Sequence, residues 1–124
     1  MTQTIHQLMM GNLLEVFDER DTERRRAAVE RIYASDVRWS DDDGVTVGRD
    51  ALDEKAAALQ GTLGPLRFVA DGAVHQTTGF GFLAWHLVAD GDPTPQVSGF
   101  DVAIVRDDLI AELYTVLTKQ PAAG

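Results

Sequence analysis

The sequence predicts an α+β fold: helices on one face of a strongly curved antiparallel (mixed) β-sheet, closing into a cone with an apolar interior. Three observations predict it. Helical periodicity ends near Gly61 and only strand patterns follow, a segregation that separates α+β from alternating α/β chains. From Gly79 to Ala89 both alternating sets are largely apolar: Gly81, Leu83, Trp85, Leu87 and Phe80, Phe82, Ala84, His86. Such a strand is covered on both faces. Gln96 to Thr118 reads as two long apolar strands joined by a tight acidic turn at Arg106-Asp107-Asp108, a strong hairpin signal.

The elements follow in order. Ile5, Leu8, Met9, Leu13, Val16 and Phe17 recur at helical spacing, so a first helix is expected from about Thr4 to Glu19, with Gly11 a mild blemish. Asp21 or Thr22 caps a second helix running to about Tyr33. Its inward stripe is Ala28, Val29, Ile32 and Tyr33, and Arg24, Arg25, Arg26, Glu30 and Arg31 are assigned to a solvated face. Asp36 to Asp41 is a short strand with Val37, Trp39 and Asp41 on one side. Asp42-Asp43-Gly44 turns the chain into a stub at Val45 to Val47. Gly48-Arg49-Asp50 opens a third helix, ended by Gly61 and Gly64-Pro65. Leu66 to Thr77 is a strand broken or bulged at Asp71-Gly72. Gly79 to Ala89 follows, then a loop at Asp90 to Pro93, the hairpin, and a frayed tail from Gln120 to Gly124.

Composition narrows the function. One domain with one core suits 124 residues. A formal net charge of −9 argues against a nucleic-acid partner, whose phosphates call for basic patches. With no cysteine, disulfides and thiolate chemistry are excluded and a cytoplasmic setting is expected. No apolar run suits a membrane span, and the opening MTQTIHQLMM lacks the pattern of a secretory signal. His6, His75 and His86 show no paired spacing, so no metal site is expected. No phosphate loop or nucleophile elbow occurs.

One residue breaks the hairpin's pattern. Asp101 stands inside an apolar run, where an unpaired carboxylate is expensive to bury. It is either paired, protonated, or facing a wet cavity, and a cone of this kind is a natural small-molecule cavity. Burial would raise its pKa toward a neutral acid. Trp39 and Trp85 are candidates to line the cavity and stack on a flat ligand. Strand parity puts His86 on the outer sheet face, away from Trp85.

The helical pair ending in RIYASDVRWSD, the GRDAL entry to the third helix, and GFDVAIVRDDLIAELYTV resemble the NTF2-like superfamily, particularly its SnoaL-like and ketosteroid-isomerase-like bacterial members. The resemblance covers nearly the whole chain, 1–124, as one domain. It implies cofactor-free acid–base chemistry, of isomerase or cyclase type, on an apolar carbonyl compound held in the cone; the other implied class is a non-catalytic binding or dimerisation domain. Asp41 falls where ketosteroid isomerases place a general base, and Asp101 where they place a protonated acid in the oxyanion hole. Leu13 occupies the place of those isomerases' helix tyrosine, and with Phe17 it joins the expected ligand-binding wall. Tyr114, on the last strand with Glu112, is the candidate to replace that tyrosine as donor. Trp85 and Leu87 stand where the epoxide-hydrolase branch carries Arg and Asp. The expected partners are a small apolar molecule and a second copy of the chain, docked through the outer face bearing Phe80, Phe82 and Phe100.

Overall fold

The computed structural model describes residues 3–120. Beyond Gln120, the expected frayed tail lies outside the described residues. Thr4 caps α1 (Ile5–Gly11) through a reciprocal pair of bonds with Gln7, and the helix continues as a π-helical turn, Asn12–Phe17. Residues five apart are about 140° apart around an α-helix. The wider turn, with Asp18 N–H reaching Leu13 O at 3.0 Å, instead lets Asn12, Leu13, Val16 and Phe17 all face the core. The single first helix expected over 4–19 is therefore helical throughout most of its span but changes pitch at the functional end. Gly11 is no blemish: a Cβ there would sit 2.8 Å from Ile32 Cδ1, so it sets the approach of the next helix.

That helix, α2 (Thr22–Ile32), is capped by Asp21. It runs into β1 (Tyr33–Asp41), longer than expected, which turns antiparallel into β2 (Gly44–Val47). Next come α3 (Arg49–Leu63), β3 (Arg67–Ala70), β4 (His75–Thr77), β5 (Phe80–Ala89), β6 (Asp92–Arg106) and β7 (Leu109–Lys119). The stretch Leu66 to Thr77 is thus two strands. Both pair with β5, but Ala70 faces Trp85 whereas His75 faces Phe82, so the break between them inserts extra residues. β6 begins at Asp92, inside the expected loop.

The sheet order is β2-β1-β7-β6-β5-β3, with β4 also on β5. All neighbours are antiparallel except β1 and β7, which run parallel. The β6–β7 hairpin is central, and its two-residue turn places both Asp107 (φ 53°) and Asp108 (φ 63°) in the left-handed region, the turn geometry that matches strand twist. The helices cover the concave face, burying Leu8, Met9, Val16, Ile32, Trp39, Leu52, Leu83 and Leu113 among others. No described helix is long and apolar enough to cross a membrane.

One assignment is overturned. Arg25 is 3 % exposed, not solvated. It precedes Ala28, Val29 and Ile32 by helical steps and so belongs to their stripe. Its guanidinium donates to Asp53 (2.7 Å), Gln60 (3.0 Å) and Glu19 O (3.2 Å), bolting α2 to α3. Gln60 in turn donates to the carbonyls of Val16, Phe17 and Glu19, closing the end of the π turn. Removing one partner of a buried pair strands the other. Asp53→Ala is therefore expected to cost about 3–5 kcal/mol by urea denaturation, and pairing it with Arg25→Met should recover much of that loss.

Candidate functional site

The cone holds a cavity of about 360 Å³. Its walls are Leu13, Phe17, Leu59, Leu63, Phe68, Leu87 and the two tryptophans; Asp41, Asp42, Asp43 and Gln120 edge it, and Asp101 and Thr115 supply polar groups. Trp39, Phe17, Phe68 and Trp85 form a chain of edge-to-face contacts, with centroids 4.9, 6.4 and 5.2 Å apart and interplanar angles of 64°, 63° and 75°. Rings meeting at such angles enclose a space as panels rather than as one flat wall.

Asp101 reaches this cavity from the middle of β6 and is 4 % exposed. In register it lies between Leu83 of β5 and Thr115 of β7. Three side chains from three elements donate to it. Asn12 Nδ2 reaches Oδ2 at 2.9 Å, while Trp85 Nε1 and the Thr115 hydroxyl reach Oδ1 at 3.2 and 2.9 Å. Two of these donors are held in orientation from behind. The Tyr33 hydroxyl donates to Asn12 Oδ1, which turns the amide nitrogen toward Asp101. Trp39 Nε1 donates to Thr115 Oγ1 at 3.0 Å, leaving the threonine proton for Asp101. The third is placed by packing. Trp85 faces Gly99 across the strands, and a Cβ on Gly99 would come within 2.7 Å of the indole.

The electrostatics follow from this arrangement. Burial raises the Asp101 pKa to about 6, and the bonds from Thr115, Trp85 and Asn12 hold it from rising further by stabilising the ionised form. Burial, with the Asp101 charge second, pushes the Tyr33 phenol well above its ordinary value, so it remains a donor. Asp101 has no salt-bridge partner among the described residues. Three of the carboxylate's roughly four acceptor positions are taken, and the remaining one is on Oδ2.

The other residues singled out from sequence sort by strand parity. Leu13, Phe17, Trp39 and Trp85 all line the cavity. Asp41 lines it too, with its carboxylate bound to Lys55 Nζ at 2.7 Å and to the Asp43 N–H at 2.9 Å. Tyr114 does not line it. The β6–β7 register puts Thr115, not Tyr114, opposite Asp101, so Tyr114 stands 41 % exposed on the outer face with its hydroxyl on Glu112. His86 is likewise outside the cavity lining, bonded to Ser98 (2.7 Å) and Asp71 (3.1 Å). The sequence reading missed Asn12 and Thr115. Asn12 could have been found, since it falls four residues after Leu8 on the apolar stripe, where an amide needs a buried partner.

No protein-family model matches the chain, and no curated protein matches it either. Solved structures do. A SnoaL-like family protein from Agrobacterium tumefaciens superposes with a TM-score of 0.85 at 23% identity, over 94% of this chain and 100% of the other. A ketosteroid-isomerase-type protein from Kribbella flavida gives 0.72 at 16%, over 99% and 85%. A SnoaL-like polyketide-cyclase-type protein from Jannaschia gives 0.71 at 16%, over 94% and 89%. The chain has the NTF2-like fold of SnoaL-like and ketosteroid-isomerase-like proteins.

The raised pKa carries a stability signature. Below the ordinary aspartate value both folded and unfolded chains are protonated at this group. As pH rises from 3.8 to about 6 the folded chain holds the proton more tightly, so Asp101 lowers stability progressively. Above about 6 the penalty is complete, about 3 kcal/mol at 1.36 kcal/mol per pKa unit. The stability of Asp101→Asn minus that of the parent should therefore climb by about this amount across that window and then level off, measured by urea melts at each pH.

Proposed function

We propose that the protein binds a small, largely apolar carbonyl compound in this cavity and acts on it without a cofactor, as an acid–base catalyst of isomerase or cyclase type. The observation that carries this is Asp101: a buried carboxylate open to an apolar cavity, with its neighbours all oriented as donors. A group so placed takes a proton from carbon or oxygen of a bound substrate onto Oδ2 and returns it to a neighbouring atom, which is what shifting a double bond or closing an aldol ring requires. A pKa near the working pH suits both halves of that exchange. At pH 7 the ionised form predominates, so the resting role is that of base rather than of neutral hydrogen-bond donor. Asp41, on the same cavity beside Lys55, is the second group of this reading, passing the proton between the mouth and solvent. The likeness to isomerase-type and cyclase-type folds supports the reaction class.

A second reading has an observation of its own. Thr115, Trp85 and Asn12 are all spent on Asp101, which leaves them unable to stabilise an enolate oxygen. That favours a non-catalytic ligand-binding domain. Proton exchange separates the two. In D2O the parent protein should speed deuterium uptake at the α-carbon of a small aryl ketone, and Asp101→Asn should lose about 10²–10⁴ of that acceleration. Exchange that survives the substitution would remove Asp101 from the chemistry.

The same reading includes a homodimer in the cytoplasm. Phe82 and Phe100 pack 5.1 Å apart on the outer sheet face, and across the strands they neighbour Val102, half-exposed Tyr114 and Val116. A contiguous apolar face of this kind supports association through a twofold axis. Light scattering should give twice the chain mass, and Val102→Glu, at the centre of that face, should give a monomer with an intact cavity.

A further inference from the structure

The charge inventory of the cavity is one-sided. Its ionisable lining residues are Asp41, Asp42, Asp43 and Asp101. One cation stands near the edge: Lys55 is 2.7 Å from Asp41 and 3.8 Å from Asp43, with its ammonium 4.7 Å over the Trp39 ring. Asp101, deeper in, has neutral donors only. A buried carboxylate without a counter-ion is costly to keep, and the hydrogen bonds offset only part of that cost. Trp85 reaches Asp101 directly, Phe17, Phe68 and Trp39 line the same cavity, and aromatic ring faces attract cations, as Lys55 over Trp39 does here. The uncommitted acceptor position on Oδ2 has no partner among the described residues.

We infer that the ligand of this cavity carries a positive charge, an ammonium group beside an apolar or aromatic body, seated against Asp101 within the enclosure of Trp39, Phe17, Phe68 and Trp85. The inference rests on the reading of the cavity as a small-molecule site and names the chemistry it selects. It also resolves the lack of spare donors for an enolate. An ammonium group on the carbon next to a carbonyl supplies the charge that stabilises the developing enolate, so the protein need not. The net charge of −9 draws such a cation in and opposes carboxylate or phosphate ligands.

A matched pair of probes separates charge from shape: phenacyltrimethylammonium, and 3,3-dimethyl-1-phenylbutan-1-one, which replaces its nitrogen by carbon. The chain's two tryptophans both line the cavity, so their fluorescence reads out both titrations. The cation is expected to bind at least about tenfold more tightly than the neutral ketone, an advantage that Asp101→Asn abolishes. A second measurement needs no variant. The cation should lower the Asp101 titration midpoint, followed by its carboxyl carbon shift in NMR, and the neutral ketone should not. The groups facing Asp101 are Tyr33 behind Asn12, which stays protonated in this range, and, at the mouth, Asp41, Asp42 and Asp43 with Lys55. Equal binding of the two probes would overturn the inference and leave the small-molecule reading standing. Binding of neither would sink both.

Discussion

A charged carboxyl group inside an apolar cone sets the terms for everything around it. Asp101 can remain there because three donors converge on it, and each comes from a different part of the chain: the π turn after α1, the middle of β5 and the middle of β7. For all three to arrive, the sheet must curl so that β5 and β7 both look onto the same point of β6. The helix must also press its Asn12 against that point. Neither alone would satisfy the group, and a half-satisfied buried charge costs several kcal/mol. The second layer is equally constrained. Tyr33 at the start of β1 and Trp39 further along it fix which way Asn12 and Thr115 present their protons. Five side chains on four elements thus form one network with the carboxylate at its centre.

The cavity is a consequence of the same geometry. Along the concave face of β6 the alternating positions are Val97, Gly99, Asp101 and Ala103, small or polar where a filled core would have Leu or Ile. Gly99 gives its space to the Trp85 indole, which leans across it to reach Asp101. The large side chains that might have filled the cone are instead Trp39, Phe17 and Phe68, packed edge to face around the space. The Arg25–Asp53–Gln60 cluster keeps α3 against α2 and anchors the end of the π turn that bears Phe17. A buried ion pair away from the cavity therefore fixes one of its walls.

Much of this was legible in the chain, and what was not has a common cause. The helices-then-strands order, the central hairpin and the inward aim of Asp101 follow from periodicity, because a strand has only two faces and Asp101 shares one with Gly99 and Ala103. Trp39 and Trp85 follow by the same rule. The errors arose where a pattern depends on register between strands or on helix pitch. Tyr114 and Thr115 are neighbours, and sequence alone does not say which of them meets Asp101; a one-residue slip exchanges them. Asn12 falls on the apolar stripe four residues after Leu8, but the face it shares with Phe17 forms only because the helix widens, so α-helical spacing gives its burial and not its place beside the cavity. Arg25 reads as solvated by its charge, although its spacing puts it on the buried stripe. Its partners, Asp53 and Gln60, lie far along the chain on α3, so the pair becomes visible only once the helices are docked.

The sequence resemblance implies a neutral acid at Asp101 that donates to an oxyanion, whereas the proposed reading makes it an ionised base. In a site built to stabilise negative charge, donors point at the substrate and the acid must keep its proton. Here the surrounding donors point at the acid, and each bond they make favours its ionised form over its protonated one. Desolvation pulls the other way, and the balance leaves the pKa near 6, raised but short of what a neutral donor at pH 7 needs. Whether such a carboxyl group is held neutral or ionised depends on whether residues such as Asn12 and Thr115 are committed to the carboxylate or to the ligand. With both committed to the carboxylate, the cavity is negative at its polar end and π-rich along its walls. Under the proposed reading, a guest that brings a proton to give, or a positive charge to place, is the one that matches such a cavity.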